Sequence, residues 1–327
     1  MKTSVTVTFS VLFLVVAALY VRLNPVALPG GASVSSGPVL RVLPLLNDGG
    51  VQWMQIQNLE KKETVTLQKK DGVWRISFPV ASPADPLMVE GLATALKLSS
   101  KARRLFPERD WDEYGLLKPS LKIGVEAEPG QRRYLYLGDP SPVSNFVFAK
   151  WEGEKEYFLV QADLKRAFER SVYSLRLKQI FRTPLDEITK IHIRTLNADY
   201  EILKKGQKWF WMEPIPILGK PVSKKQSDEI LAVIADLYVK DFLDGEKQSP
   251  GALGFSVTSP SVKLWKGSAK TTAEVLKIGK ESGPQDAYYG LKENEKNFFL
   301  MARGNIRTLF QMMETLGQSA AAAPAKP

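Results

Sequence analysis

Apolar and polar residues along the chain alternate in two distinct periods, and the order of those periods is written twice. Val51-Gln-Trp-Met-Gln-Ile56 and Ile188-Thr-Lys-Ile-His-Ile193 alternate every second residue, the pattern of a strand with one buried face. Val65 to Trp74 and Tyr200 to Trp209 follow, each with a Lys-Lys turn containing glycine and a tryptophan entering a second strand. Both predict a β-hairpin, and Pro79 and Pro214 come after them in step. The period then changes. Leu92, Ala95 and Leu96 within Asp85 to Leu98, and Ile230, Leu231, Ile234 and Leu237 within Ser223 to Tyr238, recur at three and four, which predicts one helix in each half. Asp85 before Pro86, and Ser223, supply N-caps.

The downstream stretches match with one offset. Pro119-Ser-Leu-Lys-Ile123 aligns with Pro260-Ser-Val-Lys-Leu264, Leu137-Gly138 with Ile278-Gly279, and Lys155 to Val160 with Lys296 to Met301, each 141 positions apart (260 − 119). Tyr114-Gly115-Leu116 and Leu253-Gly254-Phe255 precede them, and short amphipathic helices near Asp163 to Phe168 and Asn305 to Leu316 close each half. An internal duplication of an α+β unit accounts for this, with hairpin-linked strands favouring mainly antiparallel sheets and packed helices on one face. The expected organisation is a transmembrane anchor at 1–23, a flexible tether at 24–38, a first repeat domain at 39–182, a second at 183–316 and a disordered Ala/Pro tail at 317–327. Leu175, Leu177, Ile180 and Phe181 make the joint between repeats a packed connector.

The anchor rests on the uncharged run from Thr3 to Val21, which spans roughly 28 Å as a helix, close to the hydrocarbon thickness. A cleaved signal peptide competes with it, Lys2 serving as n-region, but Tyr20-Val21-Arg22-Leu23-Asn24-Pro25 offers no small-x-small site. The expected placement is single-pass in an inner membrane through residues 4–21, with the C-terminal domains in the periplasm.

Composition adds exclusions. The chain has no cysteine, so disulfides, thiolate nucleophiles and zinc-thiolate sites are absent. The formal charge of +10 is spread over short pairs such as Lys61-Lys62, Lys69-Lys70, Arg132-Arg133 and Lys224-Lys225, a solvated basic surface with no nucleic-acid tract. His192 is the only histidine, which rules out multi-histidine metal cages. Between Ile191 and Ile193 its alternation points it away from the core. Glu108-Arg-Asp110-Trp-Asp112-Glu113 and Asp241-Phe-Leu-Asp244-Gly-Glu246 lack the spacing of a calcium loop and read as solvated connections, and no phosphate-binding glycine motif is present. No catalytic residue, metal ligand or cofactor site follows. Trp74 and Trp209 recur in both halves and read as core. Trp53, Trp111, Trp151, Trp211 and Trp265 do not recur and are the candidate partner surface.

The spacing Trp74-Arg-Ile76, Pro79, Asp85 followed by Tyr114-Gly-Leu116, Pro119 and Ile123, behind one N-terminal apolar segment, resembles an uncharacterised bacterial family, domain of unknown function 4340. Members stand beside ABC transporters of the gliding-motility type. The resemblance implies a non-enzymatic accessory protein that associates with a permease or auxiliary subunit. The alternative is a module binding a glycan or envelope polymer through exposed tryptophans and the basic surface.

Overall fold

The computed structural model describes residues 40–43, 50–105, 114–128, 130–142, 145–267, 272–293 and 295–322. The expected anchor and tether, Trp111 with the Glu108 to Glu113 acids, and residues 323–327 lie outside them.

The alternating segments form strands where expected. In the first half these are β1 (Trp53–Asn58), β2 (Glu63–Lys70), β3 (Val73–Phe78), β4 (Ser82–Pro83), β5 (Arg103–Leu105), β6 (Leu121–Glu128), β7 (Gln131–Pro140), β8 (Phe146–Trp151) and β9 (Tyr157–Gln161), with helices α1 (Pro86–Leu98), α2 (Ala162–Phe168) and α3 (Val172–Leu175). The second half has β10 (Ile188–Arg194), β11 (Asp199–Lys205), β12 (Lys208–Glu213), β13 (Pro221–Val222), β14 (Val239–Leu243), β15 (Ser261–Lys266), β16 (Thr272–Ser282), β17 (Ala287–Lys292) and β18 (Phe298–Ala302), with α4 (Lys224–Ala235) and α5 (Arg303–Ala322). Two nine-stranded antiparallel sheets result, ordered β4-β3-β2-β1-β6-β7-β8-β9-β5 and β13-β12-β11-β10-β15-β16-β17-β18-β14. The two orders are identical. Each sheet packs one face against helices, over Met54, Ile56, Leu67, Trp74, Val89, Leu92 and Leu96 in the first and Ile191, Ile193, Ile202, Trp209, Ile230, Ile234 and Ile306 in the second.

Local chemistry sets these elements. Asp71 and Gly72 both take left-handed φ (50° and 78°), as a two-residue hairpin turn with right-twisted strands requires. Asp85 caps α1 by accepting from the amides of Leu87 and Met88, and Ser223 with Gln226 forms a full capping box on α4. Gly138 and Gly279 each pass under a carbonyl: a Cβ would stand 2.2 Å from Tyr114 O in one copy and 2.4 Å from Leu253 O in the other. That approach explains why Tyr114-Gly-Leu and Leu253-Gly-Phe recur with the later glycine.

Three expectations shift. Ile123 pairs with Leu135 and Val262 with Leu276, so β6 and β15 correspond at an offset of 139 (262 − 123), while β7 and β16 keep 141 (276 − 135). The shared Pro-Ser at Pro119 and Pro260 is therefore out of structural register by two, a difference taken up between Leu264 and Glu274. The second unit also takes up its chain at Lys178, five residues before the expected 183. Val42 donates to Ser99 O and Lys101 to Leu40 O, and at a uniform offset of 138 (180 − 42) Ile180 donates to Leu237 O and Val239 to Lys178 O. Finally, the helix expected to end near Leu316 runs to Ala322. Gly317 lets Tyr200 lie against it, a Cβ there falling 2.6 Å from the ring, Lys220 donates to Ala320 O at 2.7 Å, and the following alanines are the strongest helix formers.

Among the described residues no helix is long and apolar enough to cross a membrane.

Candidate functional site at the junction of the two sheets

The connector makes backbone bridges to the margins of both sheets. Ala84 bridges Arg176 on one side and Gln179 bridges Tyr238 on the other, while Leu177 donates to Pro83 O at 3.1 Å and Asp85 to Leu175 O at 2.9 Å. Leu175, Ile180 and Phe181 are buried, so the connector is packed. Side chains add to the joint: Tyr173 Oη donates to Lys240 O at 2.9 Å, and the Arg176 guanidinium lies 3.5 Å over the Phe242 ring while pairing with Asp244.

Beside this seam lies a cleft of about 750 Å3, bounded by Arg75 and Val80 to Pro83 from the first copy, by the connector, and by Phe242, Glu274, Lys292, Lys296 and Phe299 from the second. Glu274 ties its floor together. One oxygen accepts from the amides of Arg182 and Thr183 (both 2.8 Å) and from Thr183 Oγ1 (2.9 Å), and the other from Lys292 Nζ at 2.5 Å. Burial pushes this carboxyl up, but Lys292 and the two amides outweigh it and hold the pKa below the ordinary carboxylate value. Arg176 is 3% exposed and Ser82 4%, and Arg176 Nε and Ser82 Oγ have no hydrogen-bond partner among the described residues. The acids in the cleft wall, Glu274, Glu293 and Glu295, all come from the second copy, so the cleft does not oppose carboxylates from the two copies.

The residues singled out from sequence scatter. Trp53, Trp151 and Trp211 are buried at 7%, 2% and 1% exposure and present no free ring to a partner; Trp265 is half-buried. Arg132 covers Trp53 at 4.2 Å and Arg133 covers Trp151 at 4.4 Å, and Lys190 lies 4.0 Å over Trp265. Trp53 pairs across strands with Glu126 and Lys190 with Trp265, equivalent pairs with the indole moved to the neighbouring strand. The unshared tryptophans thus include one pair filling a common place on the open face.

His192 does face away from the core, yet its side chain is only 12% exposed, with Nε2 3.3 Å from Asp199 and 3.6 Å from Glu213. Burial pulls its pKa below the ordinary imidazole value, against Asp199, with Lys263 adding to the fall. Among the other acids, Asp241 accepts from the Phe242 amide and Glu246 from the Gln248 amide, local turn contacts; Asp244 belongs to the joint. No cluster of three or more potential metal ligands occurs among the described residues.

A family model for a domain of unknown function, DUF4340, matches residues 74–256, more than half of the chain. The chain belongs to the DUF4340 family. The DUF4340 match runs from β3 of the first copy across the connector to the loop before β15, so it includes the seam. No curated protein and no solved structure matches the chain.

Proposed function

We propose that this DUF4340 protein is a non-enzymatic accessory subunit, anchored in the inner membrane by residues 4–21, whose two extracytoplasmic copies dock on an ABC-transporter assembly of the gliding-motility type. The observation that carries the docking role is the junction cleft, walled by both copies and the connector. Its most buried acid, Glu274, is occupied by four hydrogen bonds, three of which fasten the end of the connector to the second sheet while the fourth comes from Lys292 of that sheet, an architectural use of a carboxylate. The uncharged run from Thr3 to Val21 supports the anchor, and the family resemblance supports the transporter context.

The test is extraction of the full-length chain in mild detergent after in-cell crosslinking. Recovery of a permease with it is the expected result; recovery of the chain alone, with and without crosslinker, would overturn the reading. The polymer-binding alternative draws less support, because Trp53, Trp151 and Trp211 are buried and cations already cover the Trp53 and Trp265 rings.

A further inference from the structure

The charges around the junction cleft are not all matched. Arg176 pairs with Asp244, Lys292 with Glu274, and Arg182 with Glu295 at 3.5 Å. Arg75, on a wall from the first copy, and Lys296 and Glu293, on a wall from the second, are exposed and make no ion pair among the described residues, so the unmatched charge of the cleft is net positive. Between them Ile180, Val239 and Phe299 are buried apolar residues of the lining, beside the Glu274–Lys292 pair of the floor, and Gln179 and Asn297 add amide groups.

From this arrangement we infer that the cleft receives a short acidic peptide segment of a partner protein, an apolar side chain resting against Ile180, Val239 and Phe299 while flanking carboxylates meet Arg75 and Lys296. Guanidinium and ammonium groups without partners favour carboxylate acceptors. Buried apolar side chains with charged margins match the anatomy of a docking interface. A cleft of this volume accommodates a few residues. The inference rests on the docking role proposed above and names the chemistry of what docks.

The test uses the full-length chain in detergent and a fluorescein-labelled acetyl-Asp-Leu-Asp-Leu-Asp-amide peptide, with its lysine counterpart as control. The acidic peptide should bind and the basic one should not. Arg75→Glu combined with Lys296→Glu should weaken binding at least tenfold, whereas Lys224→Glu with Lys225→Glu, exposed cations on α4 outside the cleft and the same change in net charge, should leave it unchanged. Equal loss in both variants, or no loss in the first, would overturn the inference. Competition by free succinate at concentrations similar to those of the peptide would overturn it as well, assigning the site to a small anion. If a permease co-purifies as strongly with the Arg75→Glu/Lys296→Glu chain as with the unaltered one, the peptide assignment fails while the accessory role stands; if the peptide binds as expected and no permease is ever recovered, the reverse holds.

Discussion

The backbone amide of Asp85 donates to the carbonyl of Leu175 at 2.9 Å. Its counterpart in the second copy, Ser223, donates its amide to Gln226 Oε1 at 2.9 Å. The first helix thus closes its N-cap with the connector, and the second closes it with its own third residue. Replacing Gln226 by Ala removes that closure and should cost about 0.5–1 kcal/mol in urea unfolding. Asp85→Ala removes the acceptor for the amides of Leu87 and Met88 and should cost about 1 kcal/mol or more.

Gly138→Ala and Gly279→Ala should be strongly and similarly destabilising, because each Cβ would enter the carbonyl oxygen of the preceding loop, at 2.2 and 2.4 Å. Backbone must move to relieve either contact, and overpacking of this kind costs about 1–3 kcal/mol or somewhat more. Matched losses, read by chemical denaturation, would verify that the two glycines do one job. A control at Gly153, where a Cβ meets nothing within 4 Å, isolates the contact from left-handed strain, since φ there is 77° while neither Gly138 nor Gly279 has positive φ.

Glu274→Gln should loosen the connector from the second sheet. It leaves Lys292, whose side chain is 12% exposed, without its counter-ion, and breaking a buried pair from one side costs about 3 kcal/mol. The carboxyl is held low in the folded state. Its stabilisation is therefore present above the unfolded carboxylate range, near 4.3, and is lost as pH falls through the folded value. Acid unfolding followed by circular dichroism should show a smaller pH dependence in the glutamine variant.

His192 predicts a second pH effect at a higher range. Its pKa is lowered on folding by burial, so the unfolded chain binds the proton more readily once pH drops below about 6.5. Stability should be full above that value and decline below it. His192→Gln, which places there the residue type found at the equivalent Gln55, should flatten the decline between pH 7.5 and 5; an unchanged slope would show that the imidazole is not its source.

Much of the architecture is legible in the sequence because it is local. The Asp71-Gly72 turn, the Asp85 and Ser223 caps, and the alternation around Met54 and Ile191 each report on a handful of neighbouring residues. What escapes is set by pairing at a distance. Leu40 to Leu43 and Lys178 to Phe181 are too short to show a period, and they become strand-like only by lying beside Ser99 to Lys101 and Leu237 to Val239. The two-residue slip at Pro119 and Pro260 follows from turn length, which repeated residue types conceal. The cleft was not legible, since Arg75, Arg176, Glu274 and Lys292 stand far apart in the chain and share no motif. Failure to recur marks five tryptophans as free, but Arg132, Arg133 and Lys190 cover the rings of Trp53, Trp151 and Trp265, and Trp211 packs against Tyr200.

The connector's double engagement ties the thermodynamic fate of the copies together. With Leu175 and Leu177 completing the margin of one sheet and Lys178 and Ile180 that of the other, neither half can melt without stripping backbone partners from its neighbour. Calorimetry of the folded body should record one cooperative transition in place of two, and the pair would act as a single strut carrying its far copy at a set reach from whatever holds the near one.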